Sequence, residues 1–366
     1  QPGGGSQATM TMASIVRMYH RLRGEEEQRD EIITTIYSHP SDAAAPALKG
    51  YKIIKIMTDE KGHPDYEAFK AAVNNRTAAF VAANPEDTGI FNPRIKEFTD
   101  LVTKAGGLNC YDQANANGLF GVARAKEAGF QMCYFNLHKS FGTPHGCGGP
   151  GSGAVGVIKE LKDLLPKPLV DFDGKKYYLN YNIKNSIGKV KSFIGTPQVV
   201  LKAYSWIMSM GAEGLYEVAK IAVLNNVYLI KKLLKYKGLT VPYDVNIQRI
   251  EQARYSMEQI TKDTGIGIED ITRRVMDFGT HIWSSHHPFY IPEPITLEPT
   301  ESPSKEDLDE YIETIHHILD EAYNNPEIIH SAPNNSTIHQ VDESSLDDTD
   351  EWCPTWRVYL RKTKTD

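Results

Sequence analysis

The sequence predicts an α/β protein, with a large domain on a mostly parallel sheet followed by a smaller C-terminal α+β domain. Three observations carry this. Short apolar runs alternate with helical stretches through the first half of the chain. A long helical region then leads into a second set of periodic segments. The 366 residues suffice for one large two-lobed domain or two ordinary ones. Strand–helix alternation favours a parallel sheet covered on both faces, with ligands at the carboxyl ends of its strands.

A helix is predicted over 8–27, where Met12, Ile15, Val16, Tyr19 and Leu22 recur at helical spacing directly after a glycine run. Strands are predicted at 32–37, 51–57, 78–83, 107–111 and 132–137, with helices at 66–73 and 94–105 between them. Another apolar strand starts at 154–157, and the Lys- and Tyr-rich stretch 171–182 reads as an excursion or hairpin. A helical region over 198–234 joins the lobes. The second lobe is expected to hold a strand at 281–291 and an amphipathic helix at 305–323, introduced by Pro303 and Ser304. The division is therefore 1–200 for the large domain, 201–235 for connecting helix, 236–335 for the small domain and 336–366 for a tail. Within that tail, the acidic run DESSLDDTDE reads as a solvated segment.

Composition narrows the function. Lys+Arg 40 against Asp+Glu 47 gives a net charge of −7, which argues against a general nucleic-acid binder while leaving room for small anions. Apolar residues make up 40% and charged residues 24%, the balance of a globular chain, and no apolar run approaches the roughly 20 residues that span a bilayer. Cys110, Cys133, Cys147 and Cys353 form no CxxC pair and no disulfide framework, so a reducing cytoplasm is the expected home. QPGGGSQ reads as the middle of a loop, so the sequence is expected to be a piece of a longer protein.

Chemistry concentrates in NLHKSFGTPHGCGGPG, residues 136–151, which places one Lys, two His and five Gly in a turn after an apolar strand. At a strand end shielded from water, Lys139 could act as an amine nucleophile toward an aldehyde; the alternative is a surface lysine in a glycine-rich loop. DQANANG, residues 112–118, places Asp112 at another strand end, with room for a helix and a strand before Lys139, so the two can face one crevice. A carboxylate there could keep a pyridinium nitrogen protonated, or could simply cap a helix. Gly3, Gly4, Gly5, Ser6 and Gln7 precede the first helix and could cradle a phosphate, although a glycine loop can also be only a flexible turn. Together these features suit a phosphate-bearing aldehyde cofactor. His39 could stack on its ring or serve as a polar turn residue. Asn84, in ANPEDTG, follows a strand and could approach the same ring, although Asn-Pro is first of all a turn signal.

The segment NLHKSFGTPHGCGGPGSGAVGV resembles the cofactor-lysine region of the glycine dehydrogenase (decarboxylating) family, the P-protein of the glycine cleavage system, and particularly its subunit 2 form. QPGGGSQ, NPEDTGIF, DQANANG, AVLNNVYL and EPTESPSKEDLDEY extend the resemblance over nearly the whole chain. It implies a fold-type I enzyme using pyridoxal 5′-phosphate, with Lys139 as the Schiff-base lysine, Asp112 at the pyridine nitrogen and His138 beside the lysine. Ala114 falls within the implied cofactor contacts. His145 is a candidate proton donor or carboxylate partner. The implied reaction is glycine decarboxylation with aminomethyl transfer to the lipoyl group of H-protein, in an α2β2 assembly with subunit 1.

The sequence departs from the family at Cys147 in the glycine run, at Gln113, and at the turn His39-Pro40-Ser41-Asp42-Ala43-Ala44-Ala45, where the family reads HGTNPAS. The family's N-terminal region before the phosphate loop is also absent. Cys147 reads as a small residue at a packed turn or as a reactive thiol. Adjacent His286 and His287 would point to opposite faces of a strand, which disfavours a shared metal; either could reach the site mouth from the second lobe. Two other functions stay open: a diverged lyase or transferase of another small amino acid, and a noncatalytic partner subunit.

Overall fold

The computed structural model describes residues 1–146, 149–282, 290–340, 348 and 350–363. Helix α1 (Gly5–Leu22) leads into β1 (Glu31–Thr35), α2 (Pro40–Leu48), β2 (Lys52–Ile56), α3 (Tyr66–Ala72), β3 (Thr77–Ala83), α4 (Ile95–Lys104) and β4 (Leu108–Gln113). β5 (Met132–Asn136), the short α5 (Leu137–Ser140) and β6 (Gly153–Val157) complete a six-stranded sheet of order β2-β1-β3-β4-β5-β6. All neighbours pair in parallel except β5 with β6. The strands β1, β3, β4 and β5 thus deliver His39, Asn84, Asp112 and Lys139 to the same edge of the sheet.

Burial explains the order. Met12, Ile15 and Val16 of α1 are fully buried against Ile32, Ala79, Cys110 and Tyr134 of the sheet, while Phe69, Phe80, Phe98 and Phe130 fill the opposite face. β4 is buried along its whole length, so its polar residues need partners. Asn109 finds them in the Thr99 carbonyl and Thr103 hydroxyl, at 3.0 and 2.9 Å.

The hairpin β7 (Leu169–Phe172) and β8 (Tyr177–Asn180) precedes the long α6 (Pro197–Leu233), which is not one straight helix: Gly211 takes φ 64° and interrupts it. Beyond it lie β9 (Ala253–Ser256), α7 (Glu258–Thr264), α8 (Ile268–Met276), β10 (Pro294–Leu297), α9 (Lys305–Asn324), α10 (Pro326–His330) and α11 (Trp356–Thr363). A second apolar cluster forms here around Leu233, Tyr255, Ile260, Ile271, Ile315 and Leu319. The Ser304 hydroxyl and the Asp307 carboxylate cap α9 reciprocally.

Some expectations are corrected. The connection from Asp112 to Lys139 runs through turns rather than a helix, because Gly118, Gly121 and Gly129 interrupt it. The strand expected at 281–291 does not form at His281, Ile282, Tyr290 or Ile291, and residues 283–289 lie outside the described residues. A strand that the sequence did not suggest forms at Pro294–Leu297, where it pairs antiparallel with β9. Most of the acidic run after residue 341 is also outside the described residues.

Candidate active site

At the carboxyl edge of the parallel sheet lies a cavity of about 870 Å³. Its floor is Asp112, Ala114 and Asn136, and its far wall is Arg254, Thr296 and Glu298, carried by the β9–β10 ribbon. A close backbone approach holds wall to floor. Ile90 bridges to Arg249, and Gly89, at φ 78°, lies so near that an added Cβ would meet the Gln252 carbonyl at 1.9 Å.

Gly5 and Ser6 line the cavity at the start of α1. The helix has no side-chain N-cap and no acidic residue in its first turn, so its leading N–H groups are available to an anion. A Cβ at Gly5 would come within 3.0 Å of Asn136 Nδ2 and 3.2 Å of the Tyr134 hydroxyl. The glycine therefore keeps backbone and polar side chains close together. Asn136 Oδ1 is buried without a donor beside this cradle. The Gln7 side chain is turned away: Oε1 accepts from the Gly3 N–H at 2.6 Å and Nε2 donates to the Val190 carbonyl at 2.5 Å, leaving its backbone at the helix start.

Asp112 is buried at the end of β4, where Oδ1 accepts from the Ala114 N–H at 2.8 Å. Its second neighbour is the fully buried Asp42 of α2, pushed well above the usual carboxylate range by desolvation and by the Asp112 charge. Lys139 is exposed to the open cavity rather than shielded, and its Nζ donates to Asn115 Oδ1 at 2.6 Å. The Asn115 amide in turn donates to Glu298 Oε2 at 2.5 Å. Burial raises the Glu298 carboxyl against the opposing pull of Lys139.

His39 lines the cavity and caps α2, its Nδ1 accepting from the Ser41 N–H at 3.1 Å. Asn84 also lines it, but its side-chain amide closes a turn, accepting from the Asn92 N–H at 2.8 Å and donating to the Asn92 carbonyl at 3.2 Å. His145 reaches the cavity and packs edge-on against His138, ring centroids 5.0 Å apart. His138 lies behind that wall, bonded to the Ser152 backbone, with burial lowering its pKa. Cys147, His286 and His287 lie outside the described residues.

Sequence reasoning missed Asn115, Asn136, Glu251, Arg254 and Glu298. Arg254 Nη2 pairs with Asp87 Oδ2 at 3.0 Å and its Nε meets Thr296 Oγ1 at 3.3 Å, yet Nη1 is buried without an acceptor. Buried Glu251, near Glu298, is pushed up to about 8 by burial first and Glu298 second. No spacing rule links residue 254 to residue 139; only the fold does. The glycine cradle with its uncapped N–H groups, the floor carboxylate and the wall lysine match the phosphate, ring and aldehyde of pyridoxal phosphate.

Residues 218–340 match the family described as glycine dehydrogenase, C-terminal domain, and residues 6–241 match aminotransferase class-V. The probable glycine dehydrogenase (decarboxylating) subunit 2 of Pyrococcus horikoshii is 43% identical over 345 residues, covering 94% of this chain and 68% of the relative. That of Pyrococcus furiosus is 42% identical over 361 residues, covering 98% and 71%. Among solved structures, an inhibitor-bound glycine decarboxylase (P-protein) of the glycine cleavage system aligns with TM-score 0.69 at 21% identity, over 85% of this chain and 70% of that one. A cysteine desulfurase from Thermococcus onnurineus NA1 aligns with TM-score 0.65 at 16% identity, over 87% and 78%. These structures share the fold-type I architecture expected from the sequence.

Proposed function

From the premise that the chain belongs to the glycine dehydrogenase (decarboxylating) subunit 2 family, we propose that it decarboxylates glycine with pyridoxal 5′-phosphate. The aminomethyl group passes to the lipoyl group of H-protein. The carrying observation is the convergence of Lys139, Asp112 and the α1 glycine cradle on one cavity, in a chain 43% identical to such a subunit.

Bound pyridoxal phosphate supplies an aldehyde that captures an amine and a ring that accepts the electrons left when carbon dioxide departs. The chain's own residues do the rest. N–H groups from Gly5 and Ser6 bind the phosphate. The Asp112 carboxylate, held by the Ala114 N–H, would face the ring nitrogen and keep a proton there. Lys139 provides the amine, and Asn115 fixes its Nζ between the floor and the Glu298 wall. Arg254, paired with Asp87 through Nη2, keeps Nη1 without an acceptor among the described residues and would orient the substrate carboxylate. His145 supplies a proton donor at the mouth, and His39 contributes a ring face.

The assembly is read the same way: subunit 1 in an α2β2 complex, and H-protein as a transient visitor, in the cytoplasm. Exposed Phe172 and Tyr177 of the β7–β8 hairpin, Phe193, and Leu201, Tyr204 and Met208 of α6 support a subunit contact. No helix among the described residues is long and apolar enough to cross a membrane. Incubation with subunit 1, H-protein and carboxyl-labelled glycine tests the function. Exchange of label with bicarbonate is expected; absence of exchange alongside turnover of another amino acid would reject it.

A further inference from the structure

The α2 helix opens against the cavity floor, and one of the residues it buries there is not apolar. Asp42 has no accessible surface. Thr9 Oγ1, from α1, donates to its Oδ1 at 3.3 Å, while Oδ2 is buried and receives no donor. The charged groups acting on it are two other carboxylates: Asp112 on β4, in hydrogen-bonding contact, and Asp87 beyond β3. The uncharged titratable neighbours are Cys110 on β4 and Tyr134 on β5, whose hydroxyl sits among Asp42, Asp112 and Thr9.

Two carboxyl oxygens in contact are both acceptors, so the contact is attractive only when one carries a proton. Full ionisation would place two like charges together in a site that, among the described residues, offers Asp42 the Thr9 hydroxyl with Tyr134 nearby and no cation. The proton belongs on the group more completely removed from water, because desolvation penalises its charged form most. Asp112, by contrast, faces the cavity and has the Ala114 N–H to support its charge.

We infer that Asp42 is the proton-carrying half of an acid–carboxylate pair with Asp112, a positioning residue that holds Asp112 toward the cavity as an anion. The shared proton rests on this chain's packing alone; its consequence for the ring nitrogen rests on the function proposed above. Asp42 donates to one Asp112 lone pair, the Ala114 N–H and the Tyr134 hydroxyl to others, and the carboxylate still lines the cavity.

Infrared difference spectra of the full chain at neutral pH, without cofactor, test the pair. Wild type minus Asp42→Asn should contain the carbonyl band of one neutral carboxylic acid, because the other buried carboxyls cancel. In Asp112→Asn that band should shift, since its acceptor changes from a carboxylate to an amide. No acid band in the difference, or a band indifferent to Asp112→Asn, would overturn the inference. A second reading uses melting temperature against pH. A proton retained by folded Asp42 makes wild type lose stability as pH rises above the ordinary carboxylate range, a loss that Asp42→Asn removes. The variant should therefore gain on wild type from about pH 5 to about pH 8; a constant or shrinking gap would also overturn the inference. Neither reading requires glycine or H-protein. Loss of glycine turnover with the acid band intact would reject the proposed function and leave the pair standing, and normal turnover without the band would do the reverse.

Discussion

Lys139 Nζ donates to Asn115 Oδ1 at 2.6 Å, and the other end of the same amide donates to Glu298 Oε2 at 2.5 Å. The lysine of the parallel sheet is thereby oriented by a carboxyl that follows β10 in the C-terminal half. Borohydride reduction of the cofactor-loaded protein should leave a phosphopyridoxyl group on Lys139, read by peptide mass spectrometry. Asn115→Ala should keep that attachment site but slow cofactor capture roughly 10- to 100-fold, since a hydrogen bond to a charged group contributes about 1.5–3 kcal/mol. Modification at another lysine would reject the assignment.

Asp112→Asn separates binding from chemistry. An amide can still bond to the ring nitrogen, but it cannot keep a positive charge there. The variant should retain pyridoxal phosphate by absorbance while losing most glycine decarboxylation, by two or more orders of magnitude if about 3 kcal/mol of charge stabilisation is lost. Near-normal turnover would contradict the role given to Asp112.

The sequence made the sheet legible because its strands are short, apolar and separated by helical periods, and because polar residues lie at or just after the ends of β1, β3, β4 and β5. Asp112 and Lys139 could be paired on that basis, each sitting at a strand end. The wall opposite could not. Arg254 lies in the four-residue strand ARYS, too short for its alternation to stand out and buried on both faces, and Glu251 and Glu298 are brought to the cavity only by the antiparallel register of β9 with β10. β10 shows the same limit: pairing with β9, not local apolarity, decides that a strand forms at Pro294–Leu297.

Gly89→Ala tests the seam between floor and wall. The residue takes φ 78°, and a Cβ there would meet the Gln252 carbonyl at 1.9 Å, so backbone must move. Strain of this kind costs on the order of 1–3 kcal/mol. The movement would also part the Ile90–Arg249 bridge and displace Arg254 from Asp87. A lower melting temperature together with a raised KM for glycine is expected. A substitution that changed neither would show that the approach does not define the cavity.

Stability should fall with rising pH because the floor and wall bury carboxyls in their neutral form. Burial pushes Glu86 and Glu251 each up to about 8. In the unfolded chain they titrate near about 4.3, so between those limits the folded state holds the extra protons. Their contribution is fully present below the unfolded value and is lost as pH rises through the folded one. Melting temperature should decline from about pH 5 to about pH 8.5. Glu86→Gln and Glu251→Gln should each flatten that decline; a wild-type profile that rises over the interval would contradict it.

Salt should distinguish the two partners. The electron-rich carbon left after decarboxylation must be intercepted by a lipoyl sulfur before it is reprotonated, and that acceptor is assigned to H-protein. Its encounter is transient and repeated each turnover, the regime in which charge governs association rate. The proposed contact with subunit 1 would be constitutive, and exposed Phe172, Tyr177, Phe193, Leu201 and Tyr204 offer it apolar area. With a net charge of only −7, long-range repulsion between subunits is modest and easily screened. H-protein-dependent turnover should therefore weaken as salt rises, through a raised KM for H-protein, while sedimentation still reports an intact complex with subunit 1. Dissociation of the subunits before any loss of turnover would reverse this assignment, and full glycine cleavage by the chain alone would remove the need for either partner.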